Sequence, residues 1–288
     1  MEIRPLERED VPAATRLSTQ AGWNQLPADW HRFLDLSPAG CHAGWVDDEL
    51  VATTTVIDYE ARESGRVGWI GMVLVDEAHR REGYGSTIFQ HALTSALDRG
   101  VEDVGLDATD AGRAVYSQLD FVDVMPIERW SGSLAAVAAD SDGADHDVEL
   151  LSAGDLDDIA VYDQAACGAD RSDLFESVLS ADASDGFALF GTDGPRGYAI
   201  LRPGRTHWHL GPIVVERIEG FGTLLSAAAD HLAGEPVIVD PFATQTITDL
   251  LSRYGLERQR RLTRMTYIHE RSLLMGDGVV AAAGFEWG

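Results

Sequence analysis

The sequence predicts an α+β protein made of two tandem domains, each with a mixed α/β sheet. Helical and strand-like hydrophobic patterns alternate through residues 1–134, as expected for a sheet covered by helices. Residues 135–147 are rich in Ala, Asp, Gly and Ser, which indicates a linker. The same order of elements then returns in residues 148–288, which indicates an internal repeat of ~140 residues.

The first half contains six strand patterns and four helical patterns. The run 67–75 is almost continuously apolar, which predicts a strand buried on both faces. The Val- and Thr-rich run 50–59 predicts the second arm of a hairpin, and Gly100 marks the end of a helix. The predicted strands are 2–6, 44–46, 50–59, 67–75, 101–107 and 121–130, and the predicted helices are 9–22, 28–36, 86–99 and 111–119. The run 121–130 is either a single strand or a hairpin.

The second half repeats this order without repeating the residues themselves. A short strand and two helices come first, and a hairpin, a strand and a helix follow. The predicted strands are 148–152, 186–191, 196–202, 208–215, 236–240 and 258–269, and the predicted helices are 155–167, 171–180, 218–232 and 246–254.

The composition is strongly acidic in both halves. The formal net charge is −26, and all 22 basic residues are arginine. This charge would destabilise a compact chain by self-repulsion at ordinary ionic strength. At molar salt the screening length falls to ~3 Å, and the repulsion largely disappears. We therefore predict a halophilic protein with a surface adapted to salt. A nucleic-acid partner is excluded, because no basic patch could offset the phosphate repulsion.

Several features predict a cytoplasmic protein. No run approaches the ~20 apolar residues that span a bilayer, so no membrane partner is expected. The first residues carry charges and lack the apolar core of a signal peptide. Cys41 and Cys167 lie in unrelated contexts and form neither a metal-binding spacing nor a disulfide framework, so we predict two buried side chains. A catalytic thiol is the alternative. No metal site is predicted.

A glycine-rich turn follows the buried strand 67–75. The run Arg80-Arg81-Glu82-Gly83-Tyr84-Gly85 leads into the predicted helix 86–99. Glycine lets the backbone approach a ligand closely, and the free N–H groups at a helix start attract anions. The turn therefore predicts a phosphate-binding loop. The alternative is a solvated joint whose arginines pair with local acids.

This loop resembles motif A of the GNAT (Gcn5-related N-acetyltransferase) superfamily, in which Arg/Gln-x-x-Gly-x-Gly/Ala follows a buried strand. The resemblance implies that acetyl-CoA is the cofactor, with its pyrophosphate on residues 81–86 and its pantetheine paired with 73–75 like an added strand. It also implies, in each half, a mostly antiparallel sheet with a splayed central strand pair flanked by helices. The implied cofactor-binding residues are Val73, Leu74, Val75, Arg80, Arg81, Glu82, Gly83, Tyr84, Gly85, Ser86 and Thr109.

The segment 106–121 resembles motif B of the same superfamily. Tyr116 precedes an Asp120-Phe121 pair where the family has Gly-Phe, and Asp tolerates the left-handed backbone that this position needs. Transfer from a thioester to an amine expels a thiolate (thiol pKa ~8.5), which a nearby phenol (pKa ~10) can protonate. Tyr116 is therefore the predicted catalytic acid. The alternative is a tyrosine packed on the sheet.

The base and the acceptor site are less constrained by the sequence. Asp107, at the end of strand 101–107, is a candidate catalytic base, although it could instead cap the next helix. A water relay is the other candidate. In the superfamily the first two helices and their connection usually shape the acceptor site, which implies that Trp23 and Asn24 bind substrate. Core packing is the alternative for Trp23.

The second half resembles the C-terminal domain of a two-domain GNAT subfamily. It lacks the motif A loop, and Glu216 and Glu219 stand where a pyrophosphate would lie, so no CoA is expected there. The aromatic tail 284–288 is either a wall of the acceptor cleft or a packed terminus. We therefore predict an acetyl-CoA-dependent N-acyltransferase that acts on an unidentified amine. A non-catalytic acyl-CoA sensor or pseudo-enzyme is the alternative, and a homodimer is left open.

Overall fold

The computed structural model describes residues 1–62, 65–137, 148–181 and 183–288. The predicted linker 135–147 lies outside the described residues from residue 138 onwards. The elements follow the predicted order, and one short strand at the end has no predicted counterpart. The helices are α1 (Val11–Gln20), α2 (Pro27–Leu36), α3 (Tyr84–Asp98), α4 (Asp110–Tyr116), α5 (Leu156–Cys167), α6 (Ser172–Leu179), α7 (Ile218–Leu232) and α8 (Gln245–Arg253). The strands are β1 (Glu2–Pro5), β2 (His42–Val46), β3 (Glu49–Ala61), β4 (Gly65–Val75), β5 (Asp103–Ala108), β6 (Phe121–Ser133), β7 (Val148–Leu150), β8 (Asp185–Gly191), β9 (Gly194–Arg202), β10 (Trp208–Val215), β11 (Pro236–Val239), β12 (Glu257–Tyr267) and β13 (Val279–Ala281).

Within the described residues, the strands form one continuous sheet. Its order is β1-β2-β3-β4-β5-β12-β6-β11-β10-β9-β8-β7, and β13 pairs with β10. Two neighbouring pairs are parallel, β4 with β5 and β10 with β11, because in each case a helix crosses over between the two strands. The other pairs are antiparallel. This confirms the predicted α+β class with a mostly antiparallel sheet.

The two halves exchange one strand each. β12, from the second half, lies between β5 and β6 of the first half, and β6 pairs on its other side with β11 of the second half. Each exchanged strand contains one extra residue that forms a β-bulge, Val124 in β6 and Gln259 in β12. The internal repeat predicted from the element order is therefore also visible in the strand pairing, because each exchanged strand carries one bulge.

Residues 284–288 are anchored in the core. Trp287 is buried and stacks on Phe33 of α2, with ring centroids 4.1 Å apart. The Tyr59 hydroxyl donates a hydrogen bond to the Trp287 carbonyl at 2.9 Å, and the Trp69 indole donates to the Phe285 carbonyl at 2.9 Å. These contacts bring the residues next to Trp287 against β4.

Two further predictions concern the cysteines and the membrane. Cys41 and Cys167 are buried free thiols, as predicted. Burial raises the pKa of Cys41 to about 12 and that of Cys167 to about 11, so neither is poised as a nucleophile. None of the helices that the structure describes has the length and apolar character needed to cross a membrane.

Candidate active site

A gap opens between β4 and β5. The ladder between these parallel strands joins 67–69 to 103–105, and beyond it the strands diverge while β4 stays paired with β3 on its other edge. A bulge at Met72, where φ is 51°, is held by the Thr53 hydroxyl, which donates to the Met72 carbonyl at 2.9 Å. The free edge of β4 at 73–75 therefore faces the gap and is available to an extended ligand.

The start of α3 closes one end of this gap. Gly83 is the N-cap residue with φ of 85°, and the Thr87 N–H donates to the Gly83 carbonyl at 3.0 Å. The N–H groups of the residues between these two have no helical acceptor, as in the first turn of any α-helix. The resulting groove has a volume of about 240 Å³. Its lining includes Val73, Val75, Arg80, Arg81, Gly83, Tyr84, Gly85 and Ser86.

The loop residues contribute in different ways. Arg80 folds back along the strand, because its Nε donates to the Val75 carbonyl at 3.3 Å and its guanidinium lies 3.4 Å from Glu77. Arg81 is exposed and has a left-handed backbone, with φ of 69°, which turns the chain into the helix. A Cβ at Gly85 would lie 3.4 Å from the Val75 side chain, in contact with a residue that lines the groove. The glycine therefore leaves that space open.

The remaining predicted donor residues offer less side chain to the groove. Leu74 is buried and is not among the residues that line the groove. Glu82 is exposed, and the hydrogen bond from the Tyr84 hydroxyl to its carboxylate raises the pKa of Tyr84.

Tyr116 lies at the end of α4, beside the gap. The Thr109 hydroxyl oxygen starts this helix by accepting a hydrogen bond from the Gly112 N–H at 3.2 Å. A Cβ at Gly112 would lie 2.8 Å from Cε2 of Tyr116, so the glycine leaves room for the ring. The ring stacks on Phe89 at 4.2 Å. Burial raises the pKa of Tyr116 to about 12, and the hydroxyl therefore stays protonated.

The carboxylate of Asp107, the predicted base, is buried in an ion pair. Arg264 of β12 donates to both of its carboxylate oxygens, at 2.9 and 2.8 Å. Burial raises the pKa of Asp107, and the Arg264 guanidinium opposes that rise. The helix cap that was the alternative role for Asp107 is made by Thr109.

A second, inner pocket adjoins the groove. It has a volume of about 100 Å³, and Val73 and Tyr116 line both cavities. Tyr116 therefore stands at their junction. The other walls include Trp23, Gln25, Arg129, Arg260, Phe285 and Glu286.

The two predicted acceptor residues have different surroundings. Trp23 lines the inner pocket. The Asn24 side chain instead contacts the loop that precedes β10: its oxygen accepts from the N–H groups of Thr206 and His207 at 3.0 and 3.1 Å, and its nitrogen donates to the His207 carbonyl at 2.8 Å. The amide thus joins the α1–α2 connection to the second half.

Sequence reasoning missed the charged residues that the exchanged strands and the tail bring to the inner pocket. Glu286 accepts a hydrogen bond from Arg202 at 2.8 Å. Arg129 donates to both oxygens of Asp240, at 2.7 and 2.6 Å. Arg260 also lines the pocket. The density of arginines in the last predicted strand was the available signal, and it did not indicate which cavity that strand would reach.

The corresponding gap in the second half is filled by the chain itself. The ladder between β10 and β11 joins 208–209 to 237–238, and β13 lies in the opening beyond it. On one side β13 pairs with β10 at Ile213 and Val214. On the other side the Phe242 N–H donates to the Val280 carbonyl at 2.9 Å. An extended ligand would therefore find the strand edge of this gap already taken.

Comparisons with known proteins agree with this architecture. Residues 6–121 match the model of the acetyltransferase (GNAT) family, and residues 159–274 match a model described as an acetyltransferase (GNAT) domain. A holothin acyltransferase from Pseudoalteromonas sp. (strain SANK 73390) is 24% identical, and the match covers 85% of this chain and 77% of that protein. An uncharacterised N-acetyltransferase from Bacillus subtilis (strain 168), YitH, is 22% identical, over 89% of this chain and 88% of its own.

The fold is also shared with solved structures. A candidate acetyltransferase from Pyrococcus horikoshii superposes with a TM-score of 0.80 at 18% identity, over 100% of this chain and 95% of that one. With a GNAT match in each half and relatives named for acyl transfer, the chain belongs to the GNAT superfamily, has two GNAT domains and is an acyl-CoA-dependent N-acyltransferase.

Proposed function

We propose that this enzyme transfers an acetyl group directly from the thioester of acetyl-CoA to an amine. The observation that carries the proposal is the position of Tyr116, which lines both the groove beside the glycine loop and the inner pocket. A donor bound along β4 would have its acyl end at this junction, and an amine in the inner pocket would meet it there.

The donor groove fits CoA in three respects. The free N–H groups at the start of α3 and the helix dipole favour phosphate. The free edge of β4 at 73–75 offers backbone hydrogen bonds to the amides of a pantetheine arm, and one of its N–H groups could polarise the thioester carbonyl. Arg80 and Arg81 add positive charge in a chain whose net charge is −26.

Tyr116 acts as the general acid in this proposal. Its pKa of about 12 keeps the hydroxyl protonated, so it can donate to the departing thiolate. A group with a raised pKa keeps its proton at every pH below that value. Deprotonation of Tyr116 should therefore not lower kcat until the pH approaches about 12.

We propose that water, rather than Asp107, accepts the proton from the amine. Both oxygens of Asp107 accept hydrogen bonds from Arg264, and removal of a proton from the amine would weaken that buried ion pair. A water molecule in the inner pocket could instead accept the proton and pass it outwards. Asp107 is then a positioning residue that holds β12 against β5.

The direct test is release of free thiol from acetyl-CoA with a panel of amines, with the products identified by mass spectrometry. We expect Tyr116→Phe to lower kcat by ~10²-fold or more, because the leaving thiolate loses its proton donor, while the Kd for CoA stays unchanged. Tyr267→Phe is a matched control, since Tyr267 belongs to the same aromatic cluster. Equal kcat in wild type and Tyr116→Phe would remove the acid role.

The same assay separates the alternative functions. An acyl-CoA sensor would bind CoA and release no thiol with any amine in the panel. A purely structural pseudo-enzyme would show no thermal shift with CoA.

We further propose that each chain binds one CoA, in the first half. Charge reversal by Arg81→Glu should weaken CoA binding by about tenfold or more, because an acid would lie beside the phosphates. Arg217→Glu is the matched control, because Arg217 lies directly before α7 in the half for which no CoA site is proposed. Isothermal titration should give one site per chain and an unchanged Kd for the Arg217 variant, and a second site would contradict the proposal.

A further inference from the structure

Three buried carboxylates at or next to the inner pocket are each paired with an arginine. Every pair is buried, with N–O distances of 2.6–2.8 Å. The pairs are Asp107 with Arg264, Asp240 with Arg129, and Glu286 with Arg202. These charges balance one another, and Arg260 is a further cation in the same pocket.

The Arg260 guanidinium has no such partner. Among the residues that the structure describes, no carboxylate lies within 4.0 Å of it, and its Nε is buried without a hydrogen-bond partner. Burial and the neighbouring Arg129 lower the pKa of Arg260 to about 10, so the side chain is still positively charged near neutral pH. A buried donor without an acceptor costs free energy unless a ligand supplies one.

Arg260 also faces a like charge. It stands directly opposite Arg129 in the β6–β12 ladder, and both guanidinium groups lie over the Phe285 ring, at 5.2 and 4.4 Å from its centroid. Like charges at opposed positions destabilise a strand pair. An anion between or beside them would reverse that effect.

The internal two-fold symmetry shows that the sheet does not require an arginine at this position. Arg264 faces Met125 across the same ladder, just as Arg129 faces Arg260. Arg129 and Arg264 hold equivalent ion pairs, so Met125 is the symmetric counterpart of Arg260. In the first half an apolar side chain thus fills the equivalent position and packs against a buried cluster.

We propose that Arg260 binds a carboxylate carried by one of the two substrates of the acyl transfer, an inference that rests on the proposed function. A guanidinium can hold a carboxylate through two parallel hydrogen bonds, and shielding from water strengthens them. The carboxylate could belong to the acceptor, as in an amino acid, or to the acyl group of the donor, as in a dicarboxylic acyl-CoA. Both sources share the chemistry that the pocket recognises.

The test compares carboxylates with neutral analogues on both substrates. In the acceptor arm, amino acids with one to five methylenes between amine and carboxylate are each compared with their carboxamides, using acetyl-CoA. In the donor arm, succinyl-CoA is compared with acetyl-CoA, using the best neutral amine.

Three proteins are assayed: wild type, Arg260→Met and Arg261→Met. Arg261→Met is the matched control, because Arg261 is the exposed neighbour of Arg260 on β12. Calorimetric titration with glutarate, which has no amine, measures carboxylate binding without turnover.

We expect kcat/KM to favour the carboxylate by about tenfold or more in one arm, since a charged hydrogen bond is lost in its neutral analogue. That preference should disappear in Arg260→Met and persist in Arg261→Met, and the arm in which it appears identifies the source. A preference in neither arm, or one that survives Arg260→Met, would overturn the proposal. If no amine is acetylated at all, the proposed function fails. The glutarate titration still tests the inference, because wild type should bind glutarate and Arg260→Met should not.

Discussion

At the scale of single residues, the ion pair between Asp107 and Arg264 has a counterpart in the second half. Asp240 follows β11 as Asp107 stands near the end of β5, and Arg129 of β6 donates to both of its oxygens. The gap beside Asp240 is filled by β13, so an acyl donor cannot bind there as it would beside Asp107. Each pair joins an exchanged strand to the half that receives it. The recurrence therefore indicates a structural role for both.

This role predicts the effect of Asp107→Asn. The free energy of unfolding should fall by about 3 kcal/mol, because the charge of Arg264 is left buried without a carboxylate. The pH profile of kcat should keep its shape, and denaturant unfolding and pH-rate measurements check the two effects. Asp240→Asn is the matched control and should lose similar stability. A loss of kcat of ~10²-fold or more in Asp107→Asn, without comparable loss of stability, would instead identify Asp107 as the base.

The donor side of the site was predictable from the sequence because its residues are local. Arg80, Gly83 and Gly85 lie in one turn, and the structure brings that turn and Tyr116 to one groove. The inner pocket was not predictable in the same way. Arg260 reaches it through an exchanged strand, and no local pattern encodes that pairing.

At the scale of elements, the exchange of β6 and β12 links the two halves through backbone hydrogen bonds. β12 covers the edge of β5 and pairs with nearly the whole of β6. A first half without β12 would expose two strand edges next to the active site, and such edges invite aggregation. The boundaries 1–134 and 148–288 remain a prediction about folding units, and the pairing argues that each unit needs the other.

A chain ending at residue 134 should therefore not fold alone. We expect it to be insoluble, or to lack cooperative unfolding and CoA binding, because β5 and β6 have lost the strand between them. Co-expression with residues 148–288 should restore a soluble complex that copurifies on a tag and binds CoA. The full-length chain processed in the same way is the control. A soluble 1–134 fragment that binds CoA by itself would contradict this expectation.

Element positions followed from local patterns, whereas strand partners did not. The hydrophobic runs at 67–75 and 208–215 predicted β4 and β10 closely. The partner of β12 depends on contacts far apart in the chain. β13 was missed because it has three residues and is followed by a run of alanines, which carries too little of the alternation that marks a strand.

At the scale of the whole molecule, the buried charges are paired and the net charge lies outside those pairs. Arg129, Arg171, Arg202 and Arg264 are almost fully buried and pair with buried acids. Each of these pairs is neutral, so the net charge of −26 is carried by the residues outside them. Buried pairs are screened little by salt, and surface repulsion is screened strongly.

Stability should consequently rise with salt. Between about 0.1 M and 3 M KCl near pH 7, screening of the surface repulsion should raise Tm by about 10 °C, which corresponds to a few kcal/mol for a chain of this size. Differential scanning calorimetry measures the effect. The same series near pH 4.5, the isoelectric point, is the control, because a surface without net charge has little repulsion to screen. A Tm that stays constant across the KCl series near pH 7 would show that other interactions offset the repulsion, and the prediction of a halophilic surface would be wrong.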